Sequence, residues 1–155
     1  ALEIESTTLG FISGFVGDEI ERKVKEYGIK TDFIKIENDI SRINVKITET
    51  NKETAINSKG PFIDGRYIEL LYQRIEKIEN GDTLVLSGSV PKGIESNIYQ
   101  NICKKLEKKD VKIVVDTTGD LLLKTLEYKP FLIKPNQDEL GEIFNVKISS
   151  RATSN

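Results

Sequence analysis

The 155-residue chain contains no histidine and a single cysteine, and these absences exclude several classes of chemistry. Without histidine there can be no Ser-His-Asp or Cys-His nucleophile system and no histidine zinc site. Cys103 cannot form an internal disulfide, and its place among helical apolar positions in SNIYQNICKKL predicts a buried, inert thiol. Any metal would therefore be a hard cation held by oxygen ligands, and Mg²⁺ is the usual choice beside phosphates.

The chain also lacks an excess of charge of one sign and lacks a long apolar run. Its 23 basic and 25 acidic residues are interspersed, so it has no basic field of the kind that binds nucleic acid. No stretch approaches the roughly 18 apolar residues of a membrane span, and no signal-peptide pattern opens the chain. We therefore expect a cytoplasmic protein with neither a nucleic-acid partner nor a membrane partner.

The order of short apolar runs and amphipathic segments predicts an α/β fold. A buried strand is expected at residues 7–12, and further strands are expected at residues 83–86, 112–115 and 131–133. Helical patterns separate these strands, as is typical of a mostly parallel sheet with covering helices. Residues 1–30 and 58–149 are thus predicted to form a partial α/β core.

Residues 31–57 have a different character, with three extended runs, TDFIKIE, SRINVKITE and ETAI, separated by polar pairs. This pattern predicts an antiparallel meander. In the middle run apolar residues alternate with a polar set that includes Arg42 and Asn44. The polar face is either simply solvated or a lid over an anionic substrate, and the edges of the meander could pair with a second copy.

Polar residues follow the predicted parallel strands where each one ends. LVL leads into Ser87 and Gly88, IVV leads into Asp116, and FLI leads into Lys134. Ligands of open α/β sheets bind just beyond the carboxyl ends of the strands, so these side chains could share one crevice. Polar, glycine-rich loops are also common in α/β proteins of any function, and that interpretation stays open.

In KPNQDEL, Asn136 lies three residues before Glu139 and ahead of an apolar helical pattern. This spacing is typical of a capping box at the start of a helix. The Glu139 carboxylate could also hold Mg²⁺, directly or through water, although a single carboxylate makes a weak site.

Six short motifs occur in one order: GFVGDEI, SRINVKI, NSKGPFI, LSGSVP, VVDTTGDLLLK and KPFLIKPNQDELGEIF. Together they resemble the central part of the ribokinase-type (phosphofructokinase B) carbohydrate kinase family, over about residues 2–149. Within that group the chain is most similar to the bacterial 1-phosphofructokinases, chiefly through RINVKI. The resemblance implies a ribokinase-like fold and transfer of a phosphoryl group from ATP to C6 of fructose 1-phosphate, with Mg²⁺. It also implies that the meander is a lid and often a dimer contact.

The same resemblance implies a set of substrate-binding residues. Arg42 matches the lid arginine that meets the substrate phosphate, and Asn44 lies beside it. Ser87 and Gly88 match the loop near the sugar phosphate.

The nucleotide-binding residues that the resemblance implies lie further along the chain. Asn136 and Glu139 match the Asn-x-x-Glu motif, in which the glutamate organises Mg²⁺ and the phosphates, through water in our interpretation. Lys134 then lies next to the nucleotide phosphates, and Asp116 orders the neighbouring loop.

Two expected parts of the family pattern do not occur in this sequence. A substrate-binding aspartate with a glycine-glycine motif should precede residue 1, and the Gly-Ala-Gly-Asp loop with the catalytic base should follow residue 150. We therefore expect no catalytic residue in this chain, an incomplete and inactive kinase, and a tail at residues 150–155 that is disordered or foreign to the family. Two alternatives remain, a tagatose-6-phosphate kinase of the same group and a non-catalytic α/β fragment that acts only as a dimer or binding module.

Overall fold

A computed structural model describes residues 4–49, 52–91 and 93–146. The chain divides into two compact units. The first comprises residues 1–73 and 91–94, and the second comprises residues 74–90 and 95–155. The prediction for the tail at residues 150–155 lies outside the described residues.

The first unit begins with a β-α-β arrangement. Strand β1 (Thr7–Ser13) leads into helix α1 (Gly14–Glu26), and strand β2 (Lys30–Ile36) follows. The two strands pair in parallel because the helix between them returns the chain to the same end of the sheet. Ile12 and Ile34 are each only 3% exposed and belong to the core of this unit.

A two-stranded hairpin follows. Strands β3 (Asn44–Glu49) and β4 (Lys52–Asn57) are antiparallel, and Val45 lies opposite Ile56. The antiparallel prediction is confirmed for these two runs and is wrong for the first run of the expected meander. That run forms β2, which pairs in parallel with β1, because the polar pair after it leads into a loop and not into a hairpin turn.

The second unit contains a three-stranded parallel sheet in the order β5-β6-β7. The strands are β5 (Thr83–Ser87), β6 (Lys112–Asp116) and β7 (Leu132–Ile133). The described helices are α3 (Ile98–Leu106), α4 (Gly119–Leu123) and α5 (Gln137–Phe144), with a 3₁₀ turn at Leu126–Tyr128. Helix α2 (Gly65–Ile75) precedes β5 and begins in the first unit. The observed alternation confirms the predicted α/β class.

Helix α3 buries apolar side chains that are spaced four residues apart. Ile98, Ile102 and Leu106 are 5%, 3% and 2% exposed, as their periodicity predicts. Cys103 lies beside them at 1% exposure, and burial raises the pKa of its thiol to about 11. The thiolate is the reactive form of cysteine, so the prediction of an unreactive thiol agrees with this environment.

No described helix combines the length and the apolar character that a bilayer-spanning helix needs.

Candidate functional site

The base of the hairpin is anchored by two buried serines. The backbone N–H of Ser13 donates to Oγ of Ser41 at 2.8 Å, and the Ser41 N–H donates to the Ser13 carbonyl at 2.9 Å. The Ser13 hydroxyl in turn donates to the Ile36 carbonyl at 2.7 Å. These bonds tie the residue that precedes Arg42 to the carboxyl ends of both parallel strands of the first unit.

Arg42 and Asn44 lie together at the start of the hairpin. Nε of Arg42 donates to Oδ1 of Asn44 at 2.7 Å, and both residues are exposed. Gly60 packs against the arginine: a Cβ added at this glycine would lie 3.2 Å from the Arg42 Cβ. The pair thus presents a guanidinium to solvent, and guanidinium groups bind phosphate and carboxylate in a bidentate manner.

In the second unit the predicted strand-end residues meet at one edge of the sheet. Ser87, the last residue of β5, lies opposite Asp116, the last residue of β6. The Lys134 ammonium lies 3.0 Å from a carboxylate oxygen of Asp116. This arrangement agrees with the prediction that the strand ends bring a hydroxyl, a carboxylate and an ammonium to the same edge.

The Lys134 ion pair is largely open to water. The side chain of Lys134 is 71% exposed and that of Asp116 is 37% exposed. Exposed ion pairs contribute only about 0–1 kcal/mol, so this one holds the lysine in place weakly. The ammonium can therefore move to an incoming anion at little cost.

Asn136 and Glu139 form the capping box of α5. Oδ1 of Asn136 accepts from the Glu139 N–H at 2.9 Å, and Oε2 of Glu139 accepts from the Asn136 N–H at 2.8 Å. The capping interpretation of KPNQDEL is thus confirmed, and a metal role for Glu139 stays a prediction.

The donor set for Mg²⁺ is small. No group of three or more His, Cys, Asp or Glu side chains in the described ranges could hold a metal ion. Glu139 offers a carboxylate with one oxygen already engaged in the capping box. Mg²⁺ usually keeps several waters and binds through one or two carboxylates plus substrate phosphates, so Glu139 fits a role through water beside a nucleotide.

Sequence reasoning missed two hydroxyl side chains that hold the loop after β5. The Tyr99 hydroxyl donates to the Ser87 carbonyl at 2.8 Å, and the Thr117 hydroxyl donates to the Gly88 carbonyl at 3.2 Å. Burial raises the pKa of Tyr99, so this hydroxyl stays protonated at neutral pH. Because these contacts join residues far apart in the chain, no local pattern could have revealed them.

The predicted site residues divide between the two units. Arg42 and Asn44 belong to the first unit. The other five, which belong to the second, are Ser87, Gly88, Lys134, Asn136 and Glu139.

Comparison with known proteins gives two informative relatives. A 1-phosphofructokinase from Borreliella burgdorferi is 44% identical over 145 residues, which cover 94% of this chain and 47% of that protein. A D-tagatose-1-phosphate kinase from Bacillus licheniformis is 38% identical over 146 residues, which again cover 94% of this chain and 47% of that protein. The chain thus spans about half the length of the curated relatives it matches.

Among solved structures, phosphofructokinase-2 from Escherichia coli superposes with a TM-score of 0.85 at 21% identity, covering 95% of this chain and 48% of that one. At this identity the likeness shows the fold alone, which is the predicted ribokinase-like α/β fold. The profile of the pfkB family carbohydrate kinases matches residues 1–154. Since this match covers nearly the whole sequence, the chain belongs to the pfkB family of carbohydrate kinases.

Proposed function

We propose that this chain supplies part of an ATP-dependent sugar-phosphate kinase that acts on fructose 1-phosphate. The reaction transfers the γ-phosphoryl group of ATP to the C6 hydroxyl and gives fructose 1,6-bisphosphate and ADP. The observation that carries this proposal is the 44% identity to a 1-phosphofructokinase across 94% of the chain. Because the reaction consumes ATP, we propose a cytoplasmic location.

Arg42 and Asn44 are the proposed contacts to the phosphate group of the sugar. The hydrogen bond from Nε of Arg42 to Asn44 restricts the guanidinium before any ligand arrives. Restricting a long side chain in advance lowers the entropy cost of binding. The exposed N–H groups of Arg42 then suit a phosphate that carries charge on several oxygens.

Ser87 and Gly88 are the proposed second group of substrate contacts. Gly88 has a φ of +93°, which a residue with a side chain rarely adopts, and nothing within 4 Å fills the space where its Cβ would be. Such an open backbone allows a ligand to approach the loop closely.

Lys134, Asn136 and Glu139 are the proposed nucleotide contacts. The exposed Lys134 ammonium can leave Asp116 for a phosphate oxygen, because the phosphate carries more charge than a carboxylate and the existing pair is weak. Asn136 caps α5 and so positions Glu139 at the start of that helix. When bound through water at Glu139, Mg²⁺ would neutralise charge on the phosphates.

We propose that the 155-residue chain does not turn over by itself. Phosphoryl transfer depends almost entirely on positioning and electrostatic stabilisation. The chain spans about half of its relatives, and none of its residues is proposed as the catalytic base. A coupled assay for ADP should therefore show no rate above a control without protein.

The hairpin is the proposed dimer contact. Its apolar side chains Val45, Ile47 and Ile56 are 46%, 49% and 59% exposed, and Ile43, just before β3, is 47% exposed. A two-stranded hairpin with an uncovered apolar face is only marginally stable in water, so a second copy of the chain would stabilise it.

Titration calorimetry with fructose 1-phosphate tests the proposed substrate site. We expect saturable binding by the chain and no measurable binding by Arg42→Ala. Arg22→Ala is the matched control, because Arg22 is an exposed arginine paired with Glu19 and Glu26 on α1 and has no proposed role in binding. Equal affinity in Arg42→Ala and the parent chain would contradict the proposed site.

A tagatose phosphate is the second candidate substrate. The relative from Bacillus licheniformis, named as a D-tagatose-1-phosphate kinase, is 38% identical to this chain, which is close to the identity of the first relative. Repeating the titration with tagatose 1-phosphate and tagatose 6-phosphate distinguishes the sugars. A non-catalytic binding module would be favoured instead if none of the three sugar phosphates bound while the chain still dimerised.

A further inference from the structure

The loop after β5 is held by two hydroxyl groups that come from other elements. The Tyr99 hydroxyl, in the first turn of α3, donates to the Ser87 carbonyl at 2.8 Å and lies 3.2 Å from the Gly88 carbonyl. The Thr117 hydroxyl, just after β6, donates to that same Gly88 carbonyl at 3.2 Å. Two consecutive carbonyl groups of the proposed substrate loop are therefore engaged by side chains.

This bonding determines where the next N–H group points. None of the described peptide bonds is cis, and in a trans peptide the C=O and N–H groups point in opposite directions. Because Tyr99 and Thr117 hold the Gly88 carbonyl, the N–H of Ser89 in the same peptide unit points away from both hydroxyls. Ser87, Gly88 and Ser89 are all exposed, so this N–H is available to an anion.

A simple packing role does not account for the whole arrangement. A partly buried tyrosine hydroxyl needs some acceptor wherever it lies. Here its two nearest acceptors both belong to the loop with the open glycine, and a second hydroxyl from a different strand end holds the same peptide unit. The backbone N–H of Gly88 also donates to the Asp116 carbonyl at 3.3 Å, which adds a contact to β6.

We propose that Tyr99 is a positioning residue whose hydroxyl orients the peptide units of Ser87 and Gly88 so that the loop presents the backbone N–H of Ser89 to a phosphate. Thr117 assists from the end of β6. The inference rests on the proposed function, because the ligand that the loop would receive is the phosphate of a phosphorylated sugar.

The test uses ¹⁵N-labelled 155-residue chain and the variant Tyr99→Phe, which keeps the ring and removes the hydroxyl. In the parent chain the amide order parameters of Gly88 and Ser89 should be near the rigid value of about 0.85, and in Tyr99→Phe they should fall toward about 0.6. The amide chemical shifts of the loop then report a titration with inorganic phosphate. We expect the phosphate affinity of Tyr99→Phe to be about 3- to 10-fold weaker than that of the parent chain.

Two further variants serve as controls. Tyr27→Phe removes the same hydroxyl from a tyrosine that is 81% exposed at the end of α1, and neither measurement should change. Thr117→Val removes the second hydroxyl at nearly constant volume and should show part of the same loosening of the loop and loss of phosphate affinity. It replaces Tyr99→Phe in the test if that variant fails to fold.

The outcomes separate this inference from the proposed function. Unchanged order parameters in Tyr99→Phe, or a looser loop with unchanged phosphate affinity, overturns the positioning role. Absence of phosphate binding to the loop in the parent chain overturns it too, while the calorimetric test at Arg42 still decides the proposed function. A third outcome is that inorganic phosphate binds more weakly to Tyr99→Phe than to the parent chain, while fructose 1-phosphate binds the parent chain no more tightly than inorganic phosphate does. The positioning role then stands and the proposed substrate is wrong.

Discussion

Replacing Ser41 with alanine should destabilise the first unit more than replacing Ser58, an exposed serine near the hairpin. Ser41 is 6% exposed, and its hydroxyl oxygen accepts the N–H of Ser13, which is 3% exposed. Without that oxygen the buried N–H has no partner. A buried polar group left unsatisfied costs about 1–3 kcal/mol of the free energy of unfolding, so we expect a loss of about 2 kcal/mol.

Ser58→Ala is the matched control. The Ser58 hydroxyl accepts the Ile43 N–H at 2.8 Å, the same distance as in the Ser41 bond, but both residues are exposed. Water can replace the lost acceptor there, so we expect a change within about 0.5 kcal/mol.

Urea denaturation followed by circular dichroism at 222 nm measures both free energies. In thermal denaturation the melting temperature of Ser41→Ala should lie about 4–8 °C below that of the parent chain. For a chain of this size, each kcal/mol lost from the free energy of unfolding lowers the melting temperature by about 2–4 °C. Equal losses in Ser41→Ala and Ser58→Ala would refute the reasoning, because they would mean that burial of the Ser13 N–H has no energetic consequence.

Three other predictions follow from the described structure. Burial raises the pKa of Cys103 to about 11, so the folded state favours the neutral thiol. The stability that this preference contributes is fully present below the unfolded pKa of about 8.5 and is lost as the pH rises towards about 11. The free energy of unfolding of Cys103→Ala should therefore fall less steeply with pH across this range, and parallel curves for the two proteins would contradict the assigned burial effect. Asn136→Ala removes the cap of α5 and should lower the free energy of unfolding, measured by urea denaturation, by about 1 kcal/mol, whereas Asn136→Asp should lower it less. Equal losses in the two variants would argue against the capping box. Val45→Lys on the exposed face of the hairpin should convert a dimer into a monomer in light scattering, whereas Lys23→Ala on α1 should leave the mass unchanged; a dimer that survives Val45→Lys contradicts the proposed contact.

Local patterns in the sequence predicted the features that depend on local physics. The spacing of Ile98, Ile102 and Leu106 predicted the buried face of α3, because helical periodicity brings residues four apart onto one side. The Asn-x-x-Glu spacing predicted the capping box, since both partners lie within one helical turn.

Features that depend on tertiary contacts could not be predicted in this way. The run that forms β2 mixes apolar and polar residues and is followed by a polar pair, so its pattern fits an antiparallel hairpin as well as a parallel pair with β1. The Ser13–Ser41 bonds join residues 28 apart, and the Tyr99 contact to Ser87 joins residues 12 apart. Nothing in the local sequence around Ser41 or Tyr99 distinguishes these hydroxyls from solvated ones.

The family assignment came from the order of six motifs, and each motif was weak by itself. Their combined order is informative because one chain must satisfy the spacing of all of them. The profile match over residues 1–154 confirms that assignment. The proposed roles of Arg42, Lys134 and Glu139 rest on their contacts with Asn44, Asp116 and Asn136.

Substrate preference tests most directly the proposal that this chain carries the sugar-phosphate site of a fructose 1-phosphate kinase. Residues 4–146 can replace the matching segment of the Borreliella burgdorferi 1-phosphofructokinase, and kcat/KM of the purified chimera can be measured for fructose 1-phosphate, tagatose 1-phosphate and tagatose 6-phosphate. We predict the highest kcat/KM for fructose 1-phosphate, and a loss of that activity in the chimera carrying Arg42→Ala. A folded chimera that prefers a tagatose phosphate, or that shows no turnover of fructose 1-phosphate, would contradict the account.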